Sequence, residues 1–273
     1  MGVTLGINEL KAVTSEMARY ENMDYTGLSF SFLKRRLAYV FDKLRVRKLV
    51  TFSERLKEID FRDDVKYYMA VKVTEMFRDP GFWRSVRHNL FPALGKEFNV
   101  WFPDTPSGEE LFSFLVLLKE NELIDSVKVI CQHPSEKLCN EISEGVLEVK
   151  DPELNHSNYK RLEERDRFET YFKEENGILR FDKALLKNCH FRVGAPGVAE
   201  EEEMFDFIVF RNSGINYAYG RHEELFKNIV DHIHPGGFLA IGVKESIPGN
   251  LNDFLMVVDE KESIFRKAGI KNE

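Results

Sequence analysis

The segment Asn99-Val100-Trp101-Phe102-Pro103-Asp104-Thr105-Pro106-Ser107-Gly108-Glu109-Glu110 joins a short apolar run to a tight turn and then to an acidic helix start. Open α/β sheets bind nucleotide-like ligands at such a turn, at the carboxyl end of the first strand. Gly108 frees the helix entrance and Ser107 can cap it, while Glu109 and Glu110 in the first turn gain from the helix dipole. Pro103 and Pro106 remove two backbone donors from the turn, and Asp104 puts a carboxylate where close approach favours no side chain. Of the seven histidines, His133 is the one at the end of a predicted strand on this ligand edge. Asn212 and Ser213 follow the strongest strand candidate, Phe205 to Phe210, and reach the same edge.

The elements that must position these residues follow from periodicity. From Ser29 to Lys48, Phe30, Phe32, Leu33, Leu37, Val40, Phe41 and Leu44 recur at helical spacing, with Lys34, Arg35, Arg36, Arg45 and Arg47 beside them. Further helical patterns cover Phe52 to Ile59 and roughly Asp63 to Thr74, so residues 1–75 read as a helical N-terminal domain. Beyond Pro80, strands alternate with helices: strand Asn99 to Phe102, helix Ser107 to Glu120, strand Val127 to Gln132, helix Ser135 to Ile142. After a polar stretch come short strands at Ile178 to Phe181 and His190 to Val193, then Phe205 to Phe210. A helix from about Arg221 to His232, the turn Pro235-Gly236-Gly237 and a strand from Phe238 to Val243 follow. Phe254 to Val258 and Ser263 to Arg266 form an antiparallel hairpin. The expected fold is a doubly wound, mostly parallel Rossmann-like sheet ending in that hairpin, over residues 76–273, with an inserted subdomain at about 146–181.

Composition narrows the function. The formal net charge of −7 argues against a general nucleic-acid binder, which needs a basic surface. The three cysteines, Cys131, Cys139 and Cys189, lack metal-site spacing and read as reduced thiols. The first 20 residues lack the apolar core of a signal peptide, and no run reaches the length of a membrane span, so the expected location is the cytoplasm.

Several segments, in matching order and spacing, resemble the CheR family of S-adenosylmethionine-dependent methyltransferases, which esterify glutamates on bacterial chemoreceptors. They are Asp24-Tyr25-Thr26-Gly27-Leu28-Ser29 leading to Leu33-Lys34-Arg35-Arg36; Val73-Thr74-Glu75-Met76-Phe77-Arg78-Asp79-Pro80; Ser107-Gly108-Glu109-Glu110; Phe181 to Asn188; Phe205 to Asn212; and Pro235-Gly236-Gly237 before Lys244-Glu245-Ser246. The resemblance implies a glutamate carboxylate attacking the cofactor's methyl group in line. Little acid or base chemistry is required, since that carboxylate is already ionised at neutral pH. It assigns Thr74 and Arg78 to the cofactor and substrate region, where the planar guanidinium of Arg78 can hold a carboxylate through two hydrogen bonds. Glu109 falls where the family binds the cofactor's amino group, and Asn212, with Ser213 beside it, falls next to the adenosine. The partner is a chemoreceptor-like protein, with Arg35, Arg36, Arg45 and Arg47 as contacts for its acidic helices.

The departures from the family cluster on the cofactor. Asp104 stands where the family's first loop has a glycine. His133 stands where an aspartate takes the ribose hydroxyls; imidazole can hydrogen-bond a hydroxyl but lacks a carboxylate's two acceptors. Ala195-Pro196 replaces an Asn-Leu pair around the adenine, and the aromatic residue after Asn212 is shifted by one place to Tyr217, the catalytic candidate beside Arg78. Two expectations stay open: an active protein-glutamate O-methyltransferase with an adapted or impaired cofactor site, and a non-catalytic CheR-like binding or regulatory module that does not bind S-adenosylmethionine.

Overall fold

A computed structural model of the chain describes residues 5–72, 75–147, 152–163, 167–175 and 178–269. Four helices come first: α1 (Ile7–Met17), α2 (Phe30–Lys43), α3 (Leu49–Arg55) and α4 (Ile59–Met69). In α2 the buried residues are Leu33, Leu37, Val40 and Phe41, the stripe that a 3.6-residue period turns to one side. They meet Met17, Phe52, Phe61 and Val65 in a core confined to these helices and their loops, with the Phe41 and Phe52 rings stacked at 4.7 Å.

Helix α5 (Pro80–Ser85) runs through a π-turn into α6 (Phe91–Leu94). Then come β1 (Asn99–Phe102), α7 (Glu109–Glu120), β2 (Lys128–His133) and α8 (Glu136–Ser143). Helix α9 (Pro152–Lys160) and the hairpin β3 (Phe172–Glu175) with β4 (Ile178–Phe181) form the insertion. The chain ends with β5 (Cys189–Val193), β6 (Phe205–Phe210), α10 (Tyr219–Asp231), β7 (Ile233–Ile241), β8 (Leu255–Asp259) and β9 (Ile264–Lys267).

Seven strands form one sheet in the order β5-β2-β1-β6-β7-β9-β8. The first five are parallel, and β9 runs antiparallel to both β7 and β8. Alternation along the strands splits the core into two layers. Val100 and Phe102 pack with α7 residues such as Phe114, and Trp101 packs with Phe226 and Ile229 of α10. The turn expected at Pro235-Gly236-Gly237 is instead an irregular stretch inside β7, where Gly236 takes φ +83° and the ladder with β6 shifts register. A Cβ at Gly237 would lie 2.9 Å from the Asp206 carbonyl oxygen, so this strand approaches β6 as only glycine allows.

Two sets of hydrogen bonds seat the helical unit on the sheet. Asp63 of α4 accepts from the backbone amides of Glu136 (2.9 Å) and Lys137 (3.0 Å) and from Ser135 Oγ (3.2 Å). A carboxylate from one unit thereby caps the first turn of α8 in the other, where free amides and the dipole favour an anion. On the far side Leu28 bridges Tyr217, with Ser29 donating to the Asn216 carbonyl (2.8 Å) and Ala218 donating to that of Gly27 (2.9 Å). Replacing Asp63 by Ala leaves those amides unpaired and is expected to destabilise the protein by about 1–3 kcal/mol. Urea denaturation measures it, and a change below about 0.5 kcal/mol would remove Asp63 from this role.

Candidate functional site

The strand order reverses at β1, which has β2 on one side and β6 on the other. Outside the carboxyl ends of these strands lies a cleft of about 980 Å³ including its open mouth. Its floor is the turn after β1, its sides are the ends of β2, β5 and β6, and its roof is the helical unit with the segment joining α4 to α5.

The turn after β1 is pinned by two backbone bonds. The Thr105 amide donates to the Gln132 carbonyl (2.8 Å), and the Gly197 amide donates to that of Pro103 (3.1 Å). With prolines at 103 and 106 the turn offers few amides to a ligand and presents the carboxylate of Asp104 instead. Asp104 Oδ2 accepts from Ser213 Oγ at 2.8 Å, linking the ends of β1 and β6. Burial raises the pKa of Asp104 to about 6, against a smaller opposing effect of the Ser213 bond.

His133 ends β2 on the cleft wall. Its Nδ1 accepts from the Ser135 amide at 3.0 Å, which assigns the proton of the neutral ring to Nε2. Desolvation drives its pKa down to about 3, so the imidazole is uncharged at neutral pH and presents a single N–H. Gln132 lies beneath, its Nε2 spent on the carbonyls of Ala195 and Val198.

The end of β6 is built around two carboxylate contacts. Glu245 accepts from the amides of Asn212 (2.7 Å), Gly242 (2.7 Å) and Ile215 (2.8 Å), and so holds the loops after β6 and β7 together. Asn212 sits there with φ +61°, a conformation that asparagine tolerates better than most residues. The preceding residue, Arg211, is buried and clamped between Asp79 Oδ2 (2.7 Å) and Glu110 Oε1 (2.8 Å), its guanidinium 3.9 Å above the Phe82 ring. Neither Arg211 nor Glu245 was a predicted site residue. A charged residue ending an apolar run was the only local signal for Arg211, and its partners lie more than 100 positions away along the chain.

Arg78 borders the same cleft, half-exposed, with Glu75 Oε1 3.9 Å from its Nε. Its neighbours Phe77 and Asp79 both hold positive φ, +53° and +56°, and the Arg78 carbonyl accepts from Trp83 Nε1 at 2.9 Å. Two left-handed residues in a row of three store backbone strain that the Asp79–Arg211 pair and the Trp83 bond must offset. Tyr217 and Tyr25 complete the wall, and burial pushes both phenols above their ordinary range. The Tyr25 hydroxyl is buried with no hydrogen-bond partner among the described residues.

Of the predicted residues, Arg78, His133, Asn212, Ser213 and Tyr217 meet at this cleft. Glu109 does not: it is buried in the first turn of α7 beside a separate small recess, with Lys72 and Glu141. The helix turns Glu110, not Glu109, toward the cleft side. Thr74 lies outside the described residues. Arg35, Arg45 and Arg47 are exposed on the helical unit, whereas Arg36 folds inward to donate to the carbonyls of Met69 and Ala70 at the end of α4.

Residues 72–263 match the family model described as CheR methyltransferase, SAM binding domain. The chain belongs to the CheR methyltransferase family. Over 256 residues it is 24% identical to the putative methyltransferase Cher3 of Pseudomonas putida, covering 91% of this chain and 92% of that one. It is 22% identical over 245 residues to a chemotaxis protein methyltransferase of Listeria innocua, covering 86% and 88%. Among solved structures, the N-methyltransferase NodS of Bradyrhizobium japonicum, in complex with S-adenosyl-L-homocysteine, aligns at a TM-score of 0.38 and 12% identity over 70% of this chain and 90% of that one. S-adenosylmethionine is the cofactor of the family's domain, and the cleft has groups that fit it: an unpartnered Tyr25 hydroxyl, a neutral His133 N–H and the half-exposed Arg78 guanidinium.

The state of Asp104 gives a pH prediction. Its folded-state pKa lies above the unfolded value of 3.8, so its favourable contribution is full below about pH 4 and is lost as pH rises through about 6. Above pH 7 the buried charge costs roughly 3 kcal/mol. Asp104→Asn is therefore expected to raise Tm by several degrees at pH 7.5 and by little at pH 4, in paired thermal denaturation. An equal shift at both pH values would contradict the assigned desolvation.

Proposed function

We propose that the chain is an S-adenosylmethionine-dependent protein-glutamate O-methyltransferase whose substrate is a chemoreceptor-like protein. The observation that carries this reading is the convergence of Arg78 from the α4–α5 segment with Asn212 and Ser213 at the end of β6, in one cleft at the sheet's switch point. When bound, the cofactor would supply a sulfonium-borne methyl group that a carboxylate oxygen can accept, giving a methyl ester and a neutral thioether.

The chain's own residues orient rather than exchange protons. Arg78 holds the incoming glutamate through its planar guanidinium and keeps one oxygen directed at the methyl carbon. Tyr217, un-ionised at neutral pH, walls the reacting centre against water. Asn212, Ser213 and the Nε2–H of His133 take the polar atoms of the adenosyl portion, and Thr74 belongs to the same group. Arg35, Arg45 and Arg47 offer an exposed basic face to the acidic helices of the receptor, while Arg36 has its donors engaged within the helical unit. The same proposal treats residues 1–75 as a receptor-facing helical domain and residues 76–273 as the methyltransferase domain, with an inserted subdomain at about 146–181.

A second reading, a non-catalytic CheR-like binding module, draws on one feature: the Asp104–Ser213 hydrogen bond across the ligand-binding end of the sheet. Incubation with methyl-tritiated S-adenosylmethionine and a receptor fragment bearing glutamate-rich helices separates the two. The enzyme reading expects base-labile label on the fragment, reduced about a hundredfold or more in Arg78→Ala, a loss of roughly 3 kcal/mol in transition-state stabilisation. No label, with the fragment still bound, favours the non-catalytic module.

A further inference from the structure

We propose that Asp104, with the rings of Tyr25 and Tyr217, forms a cage that reads the positive charge on the cofactor's sulfur, so that the methyl donor is held more tightly than its demethylated product. The inference rests on the S-adenosylmethionine reading above and names a residue that makes that binding selective.

A sulfonium bears no N–H or O–H, so hydrogen bonding cannot recognise it. A nearby anion and the electron-rich faces of aromatic rings can. The cleft brings these groups together from three parts of the fold: Asp104 from the turn after β1, Tyr217 from the loop after β6, and Tyr25 from the helical unit. Ser213 Oγ engages Oδ2 of Asp104 at 2.8 Å and fixes the plane of the carboxylate. The Asp104 charge adds to burial in raising both phenols, so both rings lie within reach of its field and stay neutral.

Asp104 is also uncompensated. Of the cations that line the cleft, Arg211 is held by Asp79 and Glu110, Lys66 by Asp63 and Lys72 by Glu141, while Arg78 stays half-exposed with only a 3.9 Å contact to Glu75, and none of them pairs with Asp104. Among the described residues Asp104 makes no ion pair. A partly buried carboxylate without an ion pair, lining one cleft with two tyrosines, has the composition of a site for a poorly hydrated cation. Loss of the methyl group removes the ligand's charge and with it this attraction, which favours product release.

The test is equilibrium dialysis at pH 7.5 of the full chain and of Asp104→Asn against S-adenosylmethionine and S-adenosylhomocysteine, with Ser213→Ala as a second variant. The expected result is a preference of about tenfold or more for the charged ligand in the unaltered chain, equivalent to roughly 1.4 kcal/mol. Asp104→Asn reduces it to within about twofold by weakening S-adenosylmethionine alone, and Ser213→Ala gives an intermediate ratio. If Asp104→Asn weakens both ligands equally, the carboxylate reads the amino group they share, and the inference fails. An unchanged preference in the variant also overturns it. If neither ligand binds the unaltered chain, the cofactor reading fails with it. Because Asp104→Asn relieves a buried charge, the variant is expected to fold.

Discussion

The site depends on one buried cation. Arg211 is shared by Asp79 from the segment before α5 and by Glu110 from the first turn of α7, and it stacks on Phe82. These contacts join three parts of the chain that are remote in sequence. They also set two residues of the cleft, because Arg78 precedes Asp79 and Asn212 follows Arg211. Holding the ion pair fixes the backbone on both sides of it, and the cleft lies between. Removing one partner of such a buried, hydrogen-bonded pair typically costs about 3–5 kcal/mol, because the remaining charge is stranded. The positive φ values at Phe77, Asp79 and Asn212 belong to the same arrangement: strained backbone persists where surrounding contacts over-determine it.

Around this cation the remaining carboxylates each close a gap between elements. Asp63 caps α8 and brings the helical unit over the cleft. Glu245 ties the loops after β6 and β7. Asp104 and the more exposed Asp24 both line the cleft without an ion pair among the described residues, and Asp104 is the deeper of the two, at the end of β1. With His133 neutral and both tyrosines un-ionised, the cleft combines the carboxylates of Asp104 and Asp24, one half-exposed guanidinium and neutral polar walls. That combination suits methyl transfer to a carboxylate, which asks for alignment and charge complementarity rather than proton transfer.

Much of this was legible in the sequence where the signal is local. The apolar runs of β1, β2 and β6 are buried on both sheet faces, so they stand out, and the stripe of α2 gives its helix. The terminal hairpin is present, and β9 also pairs with β7. Helix α1 went unread because its buried face, Leu10, Val13, Thr14 and Met17, includes a threonine whose hydroxyl is satisfied by the Leu10 carbonyl. The Pro235-Gly236-Gly237 turn proved to be a bulged part of β7, since turn residues also serve where a strand must bend against its neighbour. Motif order picks out Arg78 and Asn212, which the fold places on the cleft, but it does not show that the first turn of α7 sends Glu110 to Arg211 and Glu109 to a separate recess. Arg211, Asp63 and Glu245 act through partners far along the chain, and no local pattern announces such contacts.

The cleft fixed by Arg211 is the proposed seat of S-adenosylmethionine. Isothermal titration of the purified chain with that cofactor tests it most directly. Saturable binding at one site per chain with a micromolar dissociation constant is expected. A folded chain that gives no binding heat across several temperatures would contradict it.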